Sequence, residues 1–188
     1  MSTAPALTVE QSSLRIHELT VVDVRTPGEY ASGHLPGAHN IPLDHLQQAL
    51  PALRTASARG DLLVVCASGA RSETACAVLA EHGITAAALE GGTTAWTERG
   101  HDLHRPAGAR TAWAMERQVR LTAGSLVLLG LIAGRRKPAA RLISAGIAGG
   151  LVFSALTDTC GMARVLAKLP HNRPRPADLD ATLAALAG

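Results

Sequence analysis

The sequence predicts an α/β domain, a parallel sheet flanked by helices, followed by an α-helical transmembrane hairpin. Three observations predict it. Short apolar runs alternate with helical patterns up to about residue 100, the order expected of buried parallel strands covered on both faces. Two sixteen-residue apolar runs follow, residues 119–134 and 142–157, and Arg120 is the one charge in them. Charge divides the same way: residues 1–104 carry six Arg against eleven Asp/Glu, whereas residues 105–188 carry twelve Lys/Arg against four Asp/Glu. An acidic soluble half thus precedes a basic half built around apolar segments, a pattern that suits a membrane surface.

Taken in order, residues 20–24 (TVVDV) read as a buried strand. Residues 39–43 read as a short strand stopped by Pro42, and residues 44–53 as a helix with Leu46, Leu50 and Leu53 on one face. Strand Leu62–Val65 comes next, then a helix over 72–82 closed by Gly83, a strand over 85–89, and a helix over 93–99 closed by Gly100. The stretch after His101 reads as a linker. The expected division is an α/β domain over 1–104, a linker over 105–112, a two-helix membrane hairpin over 113–175, and a tail over 176–188 ending in a short Ala/Leu helix at 178–187.

A chain of 188 residues holds one ordinary domain and something smaller. The three cysteines, Cys66, Cys76 and Cys160, are widely spaced and form no CxxC pair, usage that suits a reducing compartment. The N-terminus has no basic n-region and no apolar h-region, so no secretory signal is expected. Two Trp, one Tyr and one Phe are too few for a surface that stacks nucleic-acid bases. The eight His show no ligand spacing, and neither metal nor cofactor is expected.

The chemistry is expected in "CASGARS". A strand ends on Cys66, and a helix opens a few residues later, at the kind of sheet edge where α/β folds hold ligands. A tight loop from Cys66 through Ala67, Ser68, Gly69 and Ala70 to Arg71 and Ser72 turns backbone N–H groups inward. With the positive end of the following helix they form an anion-binding nest that favours thiolate, the nucleophilic form. Gly69 allows the bend, Ser68 and Ser72 offer hydroxyl donors, and Arg71 supplies a cation for an anionic substrate. A lone strand-end cysteine is more often packing than catalysis, but the full pattern C-x-S-G-x-R-S favours function. Cys76, among Ala75, Ala77, Val78 and Leu79, reads as core. Asp23 and Arg25 read as a structural ion pair, His34 as a loop residue, and Gly91 with Gly92 as close packing beneath Trp96 rather than a phosphate cradle.

These segments resemble a rhodanese domain. "DVRTPGEYASGHLPGAHNIPL" is similar to the family's first signature, "CASGARS" to its active-site loop, and "LEGGTTAWTERGHDL" to its closing signature, over roughly 100 of 188 residues. The resemblance implies a rhodanese-like sheet and a sulfurtransferase in which Cys66 carries sulfur. It also implies a size argument: phosphatases on this fold carry one more residue between Cys and Arg, whereas C-x4-R is the sulfur-handling spacing. Many rhodaneses have a basic residue directly after the cysteine, where this chain has Ala67. The donor therefore stays open among thiosulfate, a protein persulfide and a small-thiol persulfide, and the acceptor among cyanide, a thiol and a protein. A phosphatase- or arsenate-reductase-like enzyme and a noncatalytic recruiting module are the alternatives.

Residues 113–175 resemble the two-helix membrane module behind bacterial single-domain rhodaneses, with Asp158 a departure from its mostly uncharged pattern. G-x-x-x-G recurs at Gly130/Gly134 and Gly146/Gly150, so close helix packing and a homodimer are expected. Trp113 suits a membrane interface. Arg135, Arg136, Lys137 and Arg141 mark the turn, against eight basic residues on the outer flanks, which predicts an inner-membrane protein with its catalytic domain in the cytoplasm.

Overall fold

The computed structural model describes residues 5–105, 113, 115–157, 161–167, 169 and 174–188. Two compact units emerge. One holds the described residues of Met1–Ala112 together with Pro174–Gly188, the other the described residues of Trp113–Arg173. Asp158 and Cys160, like residues 106–112 of the expected linker, lie outside the described residues.

The first unit is a five-stranded parallel sheet in the order β1-β5-β4-β2-β3. The strands are β1 (Ala6–Leu7), β2 (Thr20–Asp23), β3 (His39–Asn40), β4 (Leu62–Val65) and β5 (Ala87–Leu89). Its helices are α1 (Val9–Leu14), α2 (Pro27–Ala31), α3 (Leu46–Arg59), α4 (Ala70–Glu81) and α5 (Gly92–Glu98). Central strand β4 is apolar throughout because both faces are covered. Leu62, Val64 and Cys66 join a cluster with Leu46, Leu53, Ala75 and Leu79, while Leu63 and Val65 join Val9, Leu89 and Trp96. That alternation places the Cys66 side chain on the α3–α4 side of the sheet.

The elements differ from the sequence expectation at their ends. β3 is two residues long: Ile41 N–H still donates to Asp23 O and Leu43 N–H to Val24 O, but from Leu43 the chain coils into a 3-10 turn. α4 starts at Ala70 rather than 72, because Gly69 takes a positive φ of 108° and completes the turn by itself. α3 runs on to Arg59 despite an interior Pro51, held by Leu46, Ala49, Ala52, Leu53 and Ala56, all buried on one face.

The C-terminal segment is not a separate tail. Helix α9 (Pro176–Ala187) packs on α3, and Leu186, only 2% exposed, joins the core cluster beneath it. The Arg59 guanidinium donates to the Leu186 carbonyl and closes the helix end.

The second unit comprises α6 (Met115–Ala133), α7 (Arg141–Thr157) and α8 (Gly161–Ala167). α6 packs on α7, and Ser144 Oγ donates across to Val127 O at 2.9 Å. A Cβ at Gly130 would collide with Ser144 Oγ, and one at Gly134 with the Arg141 side chain, so this glycine pair serves the hairpin itself. Gly146, Gly149 and Gly150 face open space. Among the described residues one segment is long and apolar enough to cross a membrane, Pro138–Thr157, and 6% of it is buried. α6 falls short of that measure because its first turns carry three charged positions, Glu116, Arg117 and Arg120, in the sequence. Leu128, Leu129, Ile132, Ile143, Val152 and Phe153 lie exposed on the two helices. Of its buried described residues, Ala123, Gly130, Gly134 and Ser144 are small and Met115 is the one large side chain, so most of the large apolar side chains lie outside.

The α9 packing sets a testable stability cost. Leu186→Ala should destabilise the sheet unit by about 2–5 kcal/mol, the range for emptying a buried leucine site. Denaturant unfolding of the full chain, followed by Trp96 fluorescence, measures it. An unchanged midpoint would mean α9 is not part of that core.

Candidate active site

Cys66 is the first residue after β4, buried to 1% exposure, with its sulfur at the floor of the turn into α4. Gly69 N–H donates to Cys66 Sγ at 3.1 Å. Ser72 Oγ lies 3.6 Å from the same sulfur and 2.6 Å from the Gly69 carbonyl, to which it donates. With the hydroxyl proton directed at Gly69 O, the thiol proton is the one available between Sγ and Ser72 Oγ. Once that proton leaves, Ser72 is free to rotate its hydroxyl toward the thiolate, which keeps the Gly69 N–H.

Of the loop residues singled out by sequence, Cys66, Gly69 and Ser72 meet at the sulfur. Ser68 and Ala70 are exposed, and Ala67 is half-buried. Arg71 lies within electrostatic reach of Cys66 and is also engaged by another element. Its two terminal nitrogens grip Glu29 of α2 at 3.0 and 2.9 Å, a bidentate pair whose carboxylate is only 2% exposed. Burial works against the Arg71 charge, but the hydrogen bonds and charge of Glu29 outweigh it and raise its pKa. The Arg71 guanidinium, expected from sequence to hold an anionic substrate, also ties the start of α4 to α2.

Glu29 was not singled out by sequence. It also accepts from Thr26 N–H at 3.0 Å and Thr26 Oγ1 at 2.9 Å, the capping box of α2. The legible signal was T-x-x-E, which announces a helix start and says nothing of a partner 42 residues away.

A second buried pair supports the same sheet edge. Arg25 Nε and Nη2 hold Asp23 at 2.6–3.0 Å, and Nη2 also donates to Gly33 O at 2.8 Å. Asn40 Nδ2 bridges the Asp23 and Arg25 carbonyls. His34 stacks on Tyr30 with ring centroids 3.7 Å apart, and burial lowers its pKa.

The LEGG segment closes the loop from below. Thr93 N–H donates to Cys66 O at 2.8 Å and Thr94 N–H to Ala67 O at 3.1 Å. Gly92 has φ of +58°, and a Cβ there would overlap the Cys66–Ala67 peptide. The close packing read from sequence is present, but its neighbour is the cysteine loop. Cys76 is a different kind of thiol. Burial, helped by the nearby Glu73 charge, pushes its pKa up to about 12. Among the described residues no group of three or more His, Cys, Asp or Glu is placed to hold a metal.

Residues 8–99 match the Rhodanese-like domain family. A sulfurtransferase of Allochromatium vinosum is 37% identical over 96 residues, 48% of this chain and 83% of that protein. The chain belongs to the rhodanese family. A second family, the transmembrane domain of YgaP-like inner membrane proteins, matches residues 114–175. An uncharacterized protein of Synechocystis is 36% identical over 157 residues, covering 81% of this chain and 84% of its own length. The rhodanese sheet also superposes on a rhodanese-related protein of Thermoplasma volcanium, at TM-score 0.51 and 28% identity over 54% of this chain and 99% of that one. Family and relatives together support sulfur transfer as the general activity.

Gly92→Ala tests the support beneath the loop. The added methyl must displace the Cys66 carbonyl and adopt a left-handed backbone, so sulfur loading of Cys66 should fall by about tenfold or more, some 1.4 kcal/mol of lost positioning. Loading at the wild-type rate would show that the loop does not depend on this contact.

Proposed function

We propose that the protein is a membrane-anchored sulfurtransferase that moves a sulfane sulfur from thiosulfate or a persulfide donor to a thiol, cyanide or protein acceptor through a Cys66 persulfide. The observation that carries the proposal is the Gly69 N–H donated to Cys66 Sγ within a C-x4-R loop. The Cys66 thiolate attacks the outer sulfur of the donor. A Cys66 S–S bond forms as the donor's own bond to that sulfur breaks, and the leaving sulfite or thiolate keeps the electron pair. The loop amide that held the thiolate then stands beside the persulfide charge, preorganised stabilisation that needs no separate general base. An acceptor nucleophile takes the outer sulfur and regenerates Cys66. In this reading the substrate-binding surface comprises Ala67, Ser68, Gly69, Ala70 and Ser72, and Arg71 keeps the loop in shape through Glu29.

The apolar exterior of α6 and α7 supports an inner-membrane anchor. Trp113, with the Arg117 guanidinium 4.0 Å above its ring, suits the interface at one end. In this reading both ends of the hairpin lie on one side of the bilayer, which the packing of α9 on α3 supports. The eight basic residues of the flanks favour the cytoplasm for that side.

Mass spectrometry after exposure to thiosulfate or a persulfide should find one added sulfur on Cys66 and none on Cys76, whose thiol stays protonated to about pH 12. Cys66→Ser should abolish loading. Equal labelling of Cys76 would sink the assignment, and robust Cys66-dependent hydrolysis of aryl phosphates would favour a phosphatase. The open glycines of α7 are the proposed homodimer face: Gly146→Leu should weaken association in detergent and leave the hairpin folded. Unchanged association would remove α7 from the interface.

A further inference from the structure

Every formal cation described beside the cysteine loop is matched by a buried carboxylate. Arg71 is held bidentately by Glu29, and Arg25 by Asp23, which has no exposed surface. Arg25 stands one residue from the loop: its Nη1 lies 3.5 Å from Thr93 Oγ1, and Thr93 N–H holds the Cys66 carbonyl. Position 67, directly after the nucleophile, is alanine. At the rim the first turn of α4 adds an exposed carboxylate, Glu73, whose Oε1 lies 3.7 Å from where a Cβ on Gly69 would stand. Around the sulfur the buried charges cancel in pairs, and the surface charge left over is negative.

A charge that cancels a binding cation costs a dianion twice what it costs a monoanion and costs a neutral molecule nothing. Backbone N–H groups remain, but they serve a single terminal sulfur equally well in any donor.

We infer that the sulfur donor is a hydropersulfide, RS–SH, neutral or singly charged, rather than the thiosulfate dianion, and that the Glu29–Arg71 pair sets this preference. The inference rests on sulfur carriage by Cys66 and narrows its substrate class. The step balances without an oxidant. The Cys66 thiolate attacks the outer sulfur of RS–SH, a new S–S bond forms, and the donor S–S bond breaks with its electron pair leaving on RS⁻. The products are Cys66–S–SH and a thiolate.

The test uses the full-length protein in detergent and three probes: the persulfide of 2-mercaptoethanol, methanethiosulfonate, and thiosulfate. The last two present the same sulfane sulfur and differ by one negative charge. Loading of Cys66 is followed by mass, with each rate divided by that of the same probe on a free thiol. Wild-type protein should favour the persulfide and methanethiosulfonate over thiosulfate by about tenfold or more. Ala67→Arg, which adds a cation and keeps the ion pair, should raise the thiosulfate-to-methanethiosulfonate ratio by about tenfold, and Glu29→Gln should shift it the same way. A merely structural Glu29 would lower both rates alike and leave the ratio unmoved. If Glu29→Gln fails to fold, Ala67→Arg decides. Fastest loading by thiosulfate, or an unmoved ratio in Ala67→Arg, overturns this inference while sulfur carriage stands. Loading by no donor at all overturns both.

Discussion

The Glu29 carboxylate is the point on which the site's geometry depends. It is buried, and a buried carboxylate is costly unless its charge is met and its oxygens are hydrogen-bonded. Here both conditions hold: Arg71 grips it with two nitrogens, and Thr26 supplies a backbone and a hydroxyl donor. One side chain thereby caps α2, fixes the first turn of α4, and holds the loop between β4 and α4 at its far end. The near end is fixed by the β4 ladder and by Thr93 beneath the Cys66 carbonyl. With both ends pinned, Gly69 has little choice but to aim its N–H at the sulfur.

Much of this was legible in the sequence. The buried run Leu62–Val65, the thiol at its end and the glycine-bearing loop announce themselves by period, composition and spacing. Asp23 and Arg25 are two residues apart on a strand end and read as an ion pair. The sequence is silent where a partner is distant. Arg71 reads as a free cation because Glu29 lies in another element, and Gly92 reads as packing against Trp96 because nothing local says that the cysteine peptide lies over it. Strand β1, two residues long, is below the length at which alternation is visible. α9 reads as a tail because an Ala/Leu helix carries no mark of what it packs against.

The hairpin shows the same limit from the other side. Two G-x-x-x-G patterns look equivalent on paper. In the structure one is filled by Ser144 and Arg141 from the facing helix, and the other is open. A spacing rule identifies a helix face that permits close approach, and the partner's side chains decide whether the approach occurs. Ser144, with its hydroxyl bonded to the Val127 carbonyl, does so here by occupying the space that a side chain at residue 130 would need.

The position of α9 has a consequence for biosynthesis. Domains generally fold as their chain emerges from the ribosome, N-terminal parts first, at about 5–20 residues per second. In this chain the last twelve-residue helix, Pro176–Ala187, supplies Leu179 and Leu186 to a sheet whose strands were all synthesised before residue 90. The sheet must wait, incomplete on its α3 side, while the two apolar helices are made. In the proposed membrane-anchored protein, the hairpin is therefore made, and free to enter the bilayer, ahead of the final sealing of the sheet unit. A chain stalled or clipped between the hairpin and α9 would be held at the membrane with an unfinished core, a natural substrate for quality-control proteolysis.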